Sequence, residues 1–444
     1  MKLFEKLKNS EFWGSVAKLS AGQLIGQMIT LGATLILSRI YTDADYGTFG
    51  IITSTAAIVM SVISLALGSA IMVAQTDEDS RRVFTVAYFT QMVLLALVML
   101  GMIALMPVKQ FFSTSVPYIV AVLLMGVHIA LNILSTMTRV YINRLKLNNV
   151  LFWNSLINAG CTVCVSIPMG VLGFGFMGLL FATILAELLC AAQMMRASMP
   201  FVRIHSFREI RQTFVDCRRF VLYQYPSNMM GTVSNNMPNQ ALYNLFGDAA
   251  LGSYAMCNKV FNLPLNLLIA PIQTIYFRTA AQMKDQKEQL AEFTFGFFQK
   301  MMWIAAIPMI VCMAFGEYIF GFVLGWQWKE AGLIAAIMCP YFFFWFCNSA
   351  ITYLRVAIGH QKENLYMTII QMLSALLALG IAKALQQDMV VTIGIFAAIN
   401  AVFNLADIFV SFVCMKKYYW RYLCVSVVFV AVCTTIAYGI RFAI

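Results

Sequence analysis

Residues 37–50, LSRIYTDADYGTFG, return in degenerate form at residues 242–255, LYNLFGDAALGSYA. The matching positions are Asp43 with Asp248, Ala44 with Ala249, Gly47 with Gly252 and Phe49 with Tyr254. A second matched pair follows in the same order, RVYINRLKLN at 139–148 and RVAIGHQKEN at 355–364. An internal repeat of this length shows how the whole chain is built. Two ordered pairs predict a duplicated unit of about two hundred residues.

The composition predicts a polytopic membrane protein. Hydrophobic residues make up 61% of the chain and charged residues 11%, whereas soluble domains carry about a quarter charged residues. A membrane-spanning helix needs about 20 mostly apolar residues. The runs of this kind are residues 17–38, 49–73, 84–106, 116–138, 150–172, 176–196, 219–246, 252–275, 296–320, 331–354, 365–386, 389–414 and 422–441.

The expected fold is therefore all-α, a helix bundle with two six-helix halves and one extra C-terminal helix. We expect an N-terminal lobe at 1–196, an amphipathic cytoplasmic linker at 197–218, a C-terminal lobe at 219–414, and a basic loop with the extra helix at 415–444. Because an even number of crossings separates the copies, both keep one orientation. This predicts a pseudo-two-fold axis along the membrane normal, as in some secondary transporters.

The net charge of +11 is explained by the distribution of basic residues between the two sides of the membrane. With the N-terminus placed in the cytoplasm, most Lys and Arg residues fall in cytoplasmic segments and few fall outside, which is the positive-inside rule. No nucleic-acid partner is needed. The N-terminal basic residues precede the first span without a small-residue cleavage pattern, so we expect an uncleaved first helix.

Enzyme chemistry has little support in the sequence. The 11 cysteines lie mostly in apolar segments, and Cys161 with Cys164 is too short a spacing within one helix for a disulfide or a four-ligand zinc site. GFGFMG at 173–178 matches a dinucleotide pattern by spacing only, without the required strand and helix. We expect no catalytic residues, no metal and no cofactor.

Two spans carry carboxamides on one helical face. In the seventh span these are Gln224, Asn228, Asn235 and Asn239, and in the first they are Gln23 and Gln27, followed by Thr30 and Thr34. Polar groups at membrane depth must be satisfied internally. They either make interhelical hydrogen bonds or line a hydrated cavity. If both faces point inward, they line a central cleft suited to cargo.

Charged residues inside spans are costly and need a reason. Lys259 lies about 10 Å from the outer surface, at 1.5 Å per residue, and either extends to that surface or faces a cavity. Lys18, near the cytoplasmic end of the first span, has the same two alternatives. Spans one, two, seven and eight contain no Asp or Glu, whereas Glu187 and Asp407 lie in spans six and twelve. A polar, mildly basic cavity of this kind suits an anionic ligand more than a cationic drug.

The chain resembles the polysaccharide (O-antigen and capsule) flippases of the multidrug/oligosaccharidyl-lipid/polysaccharide exporter superfamily. The segments that carry the resemblance are LILSRIYTDADYGTFG, RVYINRLKLNN, GFGFMGLL, FGEYIFGFVLGWQW and RVAIGHQKENL, which together span nearly the whole chain. In addition, Asn258-Lys259-Val260 followed by Leu263-Pro264 is similar to a pattern in the eighth helix of lipid-linked cell-wall precursor flippases. The basic residue of that pattern lines their cavity.

The resemblance implies translocation of a polyprenyl-pyrophosphate-linked oligosaccharide across the bacterial cytoplasmic membrane, by alternating access between the two lobes. Lys259 and Lys18 would face the pyrophosphate, and the carboxamides would face the sugars. From the resemblance we also expect membrane lipid and a polysaccharide polymerase as partners. The protein is expected to be a monomer. The alternatives are a cation-coupled drug exporter of the same superfamily, a membrane polymerase or glycosyltransferase, and a scaffold without transport activity.

Overall fold

In a computed structural model of the chain, the structure describes residues 10–106, 116–202, 207–218, 220–283, 286–351, 354–357, 360–385, 388–415 and 419–443. Some side chains inside these ranges, among them those of residues 10–21, lie outside the description. All regular elements in the described ranges are helical. The all-α prediction is therefore confirmed.

The elements of the first half are α1 (Ser10–Ile40), α2 (Asp43–Ile63), α3 (Leu67–Val73), α4 (Asp77–Ala104), α5 (Tyr118–Arg144), α6 (Asn148–Val171), α7 (Phe176–Ala197), α8 (Phe207–Asp216) and a π-helical turn (Phe220–Gln224). Those of the second half are α9 (Tyr225–Gln282), α10 (Lys287–Leu324), a 3-10 turn (Trp326–Trp328), α11 (Lys329–Ile351), α12 (Leu354–Ala357), α13 (Gln361–Ala384), α14 (Met389–Met415) and α15 (Tyr419–Ala443). Gly247 interrupts α9 with non-helical angles, φ 85° and ψ −169°.

Ten helices in the described part are long and apolar enough to cross a membrane. Large apolar side chains on them are exposed, such as Ile307 at 71% and Phe322 at 79%. Extended apolar surface of this kind marks contact with lipid. The protein is therefore a multi-pass membrane protein.

The residues form two compact units, each with its own core. The first runs to Tyr41 and continues over Thr48–Asn236, and the second comprises Thr42–Gly47 and the chain from Met237 onward. The short segment Thr42–Gly47, at the centre of the first repeat motif, thus belongs to the second unit. The predicted lobe boundaries stay a prediction.

In the first unit, α6 packs closely along α1. A Cβ atom at Gly26 would come within 3.1 Å of the Ser155 carbonyl oxygen, so only a small residue fits there. Below the end of α1, the Tyr41 hydroxyl donates a hydrogen bond to the Ser166 carbonyl at 2.6 Å. Buried small and polar residues of this kind hold helices together in membranes, where the hydrophobic effect does not separate helix from lipid.

In the second unit, α10 and α11 pack closely against each other. Gly316 and Gly332 face each other, and a Cβ atom at Gly316 would lie 2.7 Å from the Gly332 carbonyl oxygen. The core of the second unit is rich in phenylalanine, including Phe298, Phe343 and Phe346. Two helices can approach closely where both lack side chains.

One detail differs from the sequence prediction. The predicted span 49–73 is not one helix, because Leu65 and Ala66 take left-handed angles, φ 50° and 52°, and separate α2 from α3. Neither residue type favours such angles, so no residue at the break indicates it. The first copy of the repeat motif continues into α2, whose first residue is Asp43.

Candidate functional site

Lys259 lies in the part of α9 that follows Gly247, one of the few charged residues in an apolar helical segment. Its Nζ lies 5.1 Å from the centroid of the Tyr46 ring. A cation at this distance from an aromatic face is attracted by the electrons of the ring. Both residues belong to the second unit, and their contact joins the first copy of the repeat motif to the helical segment that follows the second copy.

The Tyr46 ring is held in place by packing. Its exposed fraction is 4%, and the ring meets Trp328 edge to face, with centroids 5.4 Å apart and an interplanar angle of 81°. Trp328 is fully buried and comes from the FGEYIFGFVLGWQW segment. Edge-to-face pairs of this geometry are favourable beyond their buried area. The lysine therefore lies over a fixed ring rather than a mobile one.

The glycines of the two motifs bring these residues together. A Cβ atom at Gly47 would overlap the carbonyl oxygen of Asp248, and a Cβ atom at Gly252 would overlap the carbonyl oxygen of Asp43. The contact is thus reciprocal, and it requires glycine at both positions. It places the beginning of α2 against α9 and carries Tyr46 to Lys259.

The two motif aspartates are used locally. Thr42 and Asp45 form a capping box at the start of α2, in which the Asp45 amide donates to Thr42 Oγ1 at 3.2 Å and the Thr42 amide donates to Asp45 Oδ2 at 3.0 Å. Asp43 and Asp248 each accept a bond from the next backbone amide, at 2.8 and 3.0 Å. Among the described residues, no carboxylate lies within 4.0 Å of Lys259.

The carboxamides of the seventh span divide into two groups. Gln224 donates to the Ser69 hydroxyl at 2.9 Å, an interhelical bond that uses it structurally. Asn228 and Asn235 are exposed and Asn239 is half-buried, and their side chains have no hydrogen-bond partner within the described ranges. The last three are therefore open to a ligand.

The first span shows a similar division. Thr30 and Thr34 donate to the carbonyls one turn earlier in their own helix, at 2.9 and 2.8 Å, so their hydroxyls are structural. Gln23 is exposed, and the buried Oε1 of Gln27 has no donor in the described part of the chain. The side chain of Lys18 lies outside the described residues, so its predicted role stays a prediction.

The sequence analysis does not identify three features of the structure: the Tyr46 ring, the Arg355–Asp407 ion pair and the hydrogen bonds of Glu187. Tyr46 could have been found, because the motif places it one residue before Gly47. Arg355 forms a buried ion pair with Asp407 at 2.5 Å, and Glu187 accepts bonds from His128 at 2.9 Å and Asn132 at 2.5 Å. Spacing along the chain does not reveal these tertiary partners. Glu187 and Asp407 are thus each bonded to partners within their own units.

No site for a metal or a disulfide is evident. Within the described residues, no cluster of three or more His, Cys, Asp or Glu could hold a metal ion. All 11 cysteines are free. The groups open to a ligand are therefore Lys259 in the second unit and carboxamides in both units.

The fold is similar to solved transporter structures. The lipid II flippase MurJ, in an inward closed conformation, matches with a TM-score of 0.68 at 10% identity over 95% of this chain and 98% of that chain. An inward-facing multidrug resistance MATE family transporter of the MOP superfamily matches with 0.66 at 15% identity, over 92% and 98%. A MOP superfamily transporter from Pyrococcus furiosus matches with 0.55 at 15% identity, over 92% and 96%.

These similarities define a membrane transporter fold. Residues 36–333 match the family of polysaccharide biosynthesis proteins, and the chain belongs to that family. The resemblance stated from the sequence is confirmed. No curated protein sequence matches this chain significantly.

Proposed function

We propose that the protein is a flippase that moves a polyprenyl-diphosphate-linked oligosaccharide from the cytoplasmic to the outer leaflet of the bacterial cytoplasmic membrane. The product would serve assembly of a cell-surface polysaccharide such as O-antigen. Membership in the polysaccharide biosynthesis family supports this class of cargo. The solved structure of a lipid II flippase on the same fold supports the same kind of movement.

Lys259 is the observation that carries the proposal. A charge inside an apolar helix costs about 2.5–3.5 kcal/mol on insertion scales, and no carboxylate among the described residues offsets it. A diphosphate would supply the missing negative charge. The attraction is strong where water is scarce, because the effective dielectric constant is low.

The carboxamides are proposed as the groups that contact the sugars of the cargo. Gln23, Gln27, Asn228, Asn235 and Asn239 each offer one acceptor and two donors, which suits the hydroxyls of sugars. Gln224 supports the helix that bears the asparagines, through Ser69. Lys18 is proposed as a second cation toward the diphosphate, on the basis of its position in the first span.

The remaining features of the proposal follow from this cargo. The N-terminus lies in the cytoplasm, the protein acts as a monomer without enzymatic activity, and a polysaccharide polymerase uses its product. The sequence repeat supports alternating access as the transport cycle. Cargo that binds one state better than the other would shift their populations.

The test is the location of lipid-linked oligosaccharide in cells that lack the protein. A membrane-impermeant glycan label is applied to intact cells and to inverted vesicles. We expect accumulation on the cytoplasmic face, relieved by the wild type but not by Lys259→Gln. Lys300→Gln, which removes an exposed lysine, is the matched control and should restore transport.

Each other outcome has a defined meaning. If lipid-linked sugar is unchanged on both faces, the flippase proposal is wrong and a cation-coupled drug exporter becomes the function to test, since a MATE transporter has the same fold. If unpolymerised units accumulate on the outer face, the protein acts as a polymerase. Normal transport by Lys259→Gln at wild-type membrane levels would remove Lys259 from the site.

A further inference from the structure

A polar cavity lies in the first unit, between α1, α5 and α6. Its volume is about 180 Å³. The lining residues are Gln23, Arg139, Val140, Asn143, Leu151 and Ser155. Arg139 is exposed and begins the second repeat motif. A guanidinium, two carboxamides and a hydroxyl thus surround one small space.

The guanidinium of Arg139 has only a neutral partner. It donates to the Asn154 carboxamide oxygen at 3.1 Å, and Asn154 is in turn held by bonds to the Cys190 carbonyl and to Gln193, both at 3.1 Å. No carboxylate of the described residues lies within 4.0 Å of Arg139. Four of the five N–H donors of the guanidinium therefore have no partner in the described part of the protein.

The equivalent arginine in the second copy of the motif has a carboxylate partner, which Arg139 lacks among the described residues. Arg355, which aligns with Arg139, is 3% exposed and pairs with Asp407 at 2.5 Å. In the first unit, Glu187 is already bonded to His128 and Asn132. Unlike Arg355, Arg139 therefore has no carboxylate partner among the described residues.

The position of Arg139 along α5 matches the depth of lipid headgroups. Helix α5 has 27 residues, or about 40 Å at 1.5 Å per residue, close to the 40–45 Å of a bilayer that includes its headgroup regions. Arg139 precedes the end of this helix by five residues, about 7.5 Å. This depth corresponds to the phosphates of one leaflet, which is the cytoplasmic leaflet in the orientation proposed above.

We propose that this cavity binds the phosphate of an anionic lipid headgroup. Arg139 donates two parallel bonds to the phosphate, a geometry for which the planar guanidinium is suited. Asn143, one helical turn after Arg139, lies on the same face of α5 and offers further donors to the phosphate. The site does not depend on the transport function, because it is defined by the phosphate and not by passage across the membrane.

Native mass spectrometry of the purified full chain tests the proposal. Polyprenyl phosphate and phosphatidylglycerol are titrated separately, with polyprenol as the uncharged control lipid. We expect Arg139→Gln to weaken binding of the phosphate lipids about tenfold, as loss of a charged hydrogen-bonded contact does. Arg82→Gln removes a charge that pairs loosely with Glu78 at 3.9 Å, outside the cavity, and should bind like the wild type.

A second variant keeps Arg139 and supplies its counter-charge. Asn143→Asp places a carboxylate one turn away, where it pairs with the guanidinium as Asp407 does with Arg355. We expect a folded protein whose phosphate binding is about tenfold weaker and whose polyprenol binding is unchanged. This variant remains informative even if Arg139→Gln does not fold.

The proposal is overturned if Asn143→Asp binds the phosphate lipids like the wild type. It is also overturned if Arg82→Gln loses as much affinity as Arg139→Gln, because the effect is then one of general surface charge. Preference for polyprenyl phosphate over phosphatidylglycerol assigns the site to the isoprenoid carrier. Equal affinity assigns it to anionic headgroups in general. A transport defect plays no part in these readouts, so failure of the flippase proposal is detected separately.

Discussion

Two cations of the second unit, Arg355 and Lys259, differ in what faces the charge. Arg355 faces the carboxylate of Asp407 and is almost completely buried. Lys259 faces the ring of Tyr46 at 5.1 Å. A buried ion pair is closed to other anions, whereas a lysine over a ring keeps its charge available. This difference separates structural cations from candidate binding cations.

The Arg355–Asp407 pair should be sensitive to loss of one partner. Asp407→Asn leaves a buried guanidinium without its counter-charge, and we expect the free energy of unfolding to fall by about 3–5 kcal/mol. The double variant Arg355→Met with Asp407→Leu should recover most of this loss, because well-packed apolar residues replace buried pairs at little cost. Equilibrium unfolding in detergent micelles measures both. A double variant less stable than Asp407→Asn would contradict the prediction.

Tyr46 should act through its ring. Tyr46→Phe keeps the aromatic face under Lys259 and should preserve transport of lipid-linked oligosaccharide. Tyr46→Leu removes an interaction of about 0.5–2 kcal/mol, so we expect transport to fall by about 2- to 30-fold. The glycan-label assay on inverted vesicles measures this, with membrane levels as the control. Equal activity of Tyr46→Leu and the wild type would show that the ring does not position the lysine.

At the scale of the helices, the reciprocal contact between the two motif copies is the main feature. Gly47 and Gly252 each touch the backbone of the other copy. The start of α2 and the part of α9 after Gly247 are therefore held together by backbone, with no side chain between them. Substitution of either glycine must separate the two segments.

A double-mutant cycle tests this contact. Gly47→Ala and Gly252→Ala should each lower the free energy of unfolding by about 1–3 kcal/mol, the usual cost of overpacking. Together they should cost less than the sum, because the first alanine already opens the space that the second needs. Gly296→Ala, with nothing within 4 Å of the added Cβ, should be neutral or stabilising. Strict additivity of the two changes would argue against a shared contact.

Gly247 sets the break in α9. Its angles, φ 85° and ψ −169°, lie in a region that is essentially restricted to glycine. Gly247→Ala should therefore destabilise the protein by about 1–3 kcal/mol. Gly231→Ala, in the same helix and also without neighbours within 4 Å, should not, because alanine favours a helix interior. Thermal unfolding of the two variants, measured side by side, tests this difference in stability. Equal unfolding temperatures would contradict the prediction.

At the scale of the whole molecule, the repeat predicts the topology. Single cysteines in a cysteine-free background at Thr42 and Asp248 should react with an impermeant maleimide on intact cells. Cysteines at Lys146 and His360 should react only in inverted vesicles. The reason is that an even number of crossings separates the two copies of each motif. Labelling of the two copies from opposite sides would indicate an inverted repeat instead.

The features of the fold and the site that can be predicted from the sequence are those that depend on neighbouring residues along the chain. The helical content and most helix positions followed from apolar runs, and the break at Leu65 and Ala66 did not, because no residue there favours left-handed angles. Lys259 was selected because a charge in an apolar run is costly at any position. Its partners Tyr46 and Trp328 lie far from it in sequence, and nothing in the local pattern pairs them.

The sequence by itself determined the membrane class, the helices and the duplicated motifs, because hydrophobic length and repetition are properties of the chain that persist in any conformation. The tertiary structure alone decided which charged groups are paired. Arg139 and Arg355 occupy the same place in the repeated motif, yet Arg355 faces Asp407 while Arg139 faces a neutral carboxamide. Pairing depends on distances of a few ångströms between helices, and these distances are set by packing rather than by order along the chain.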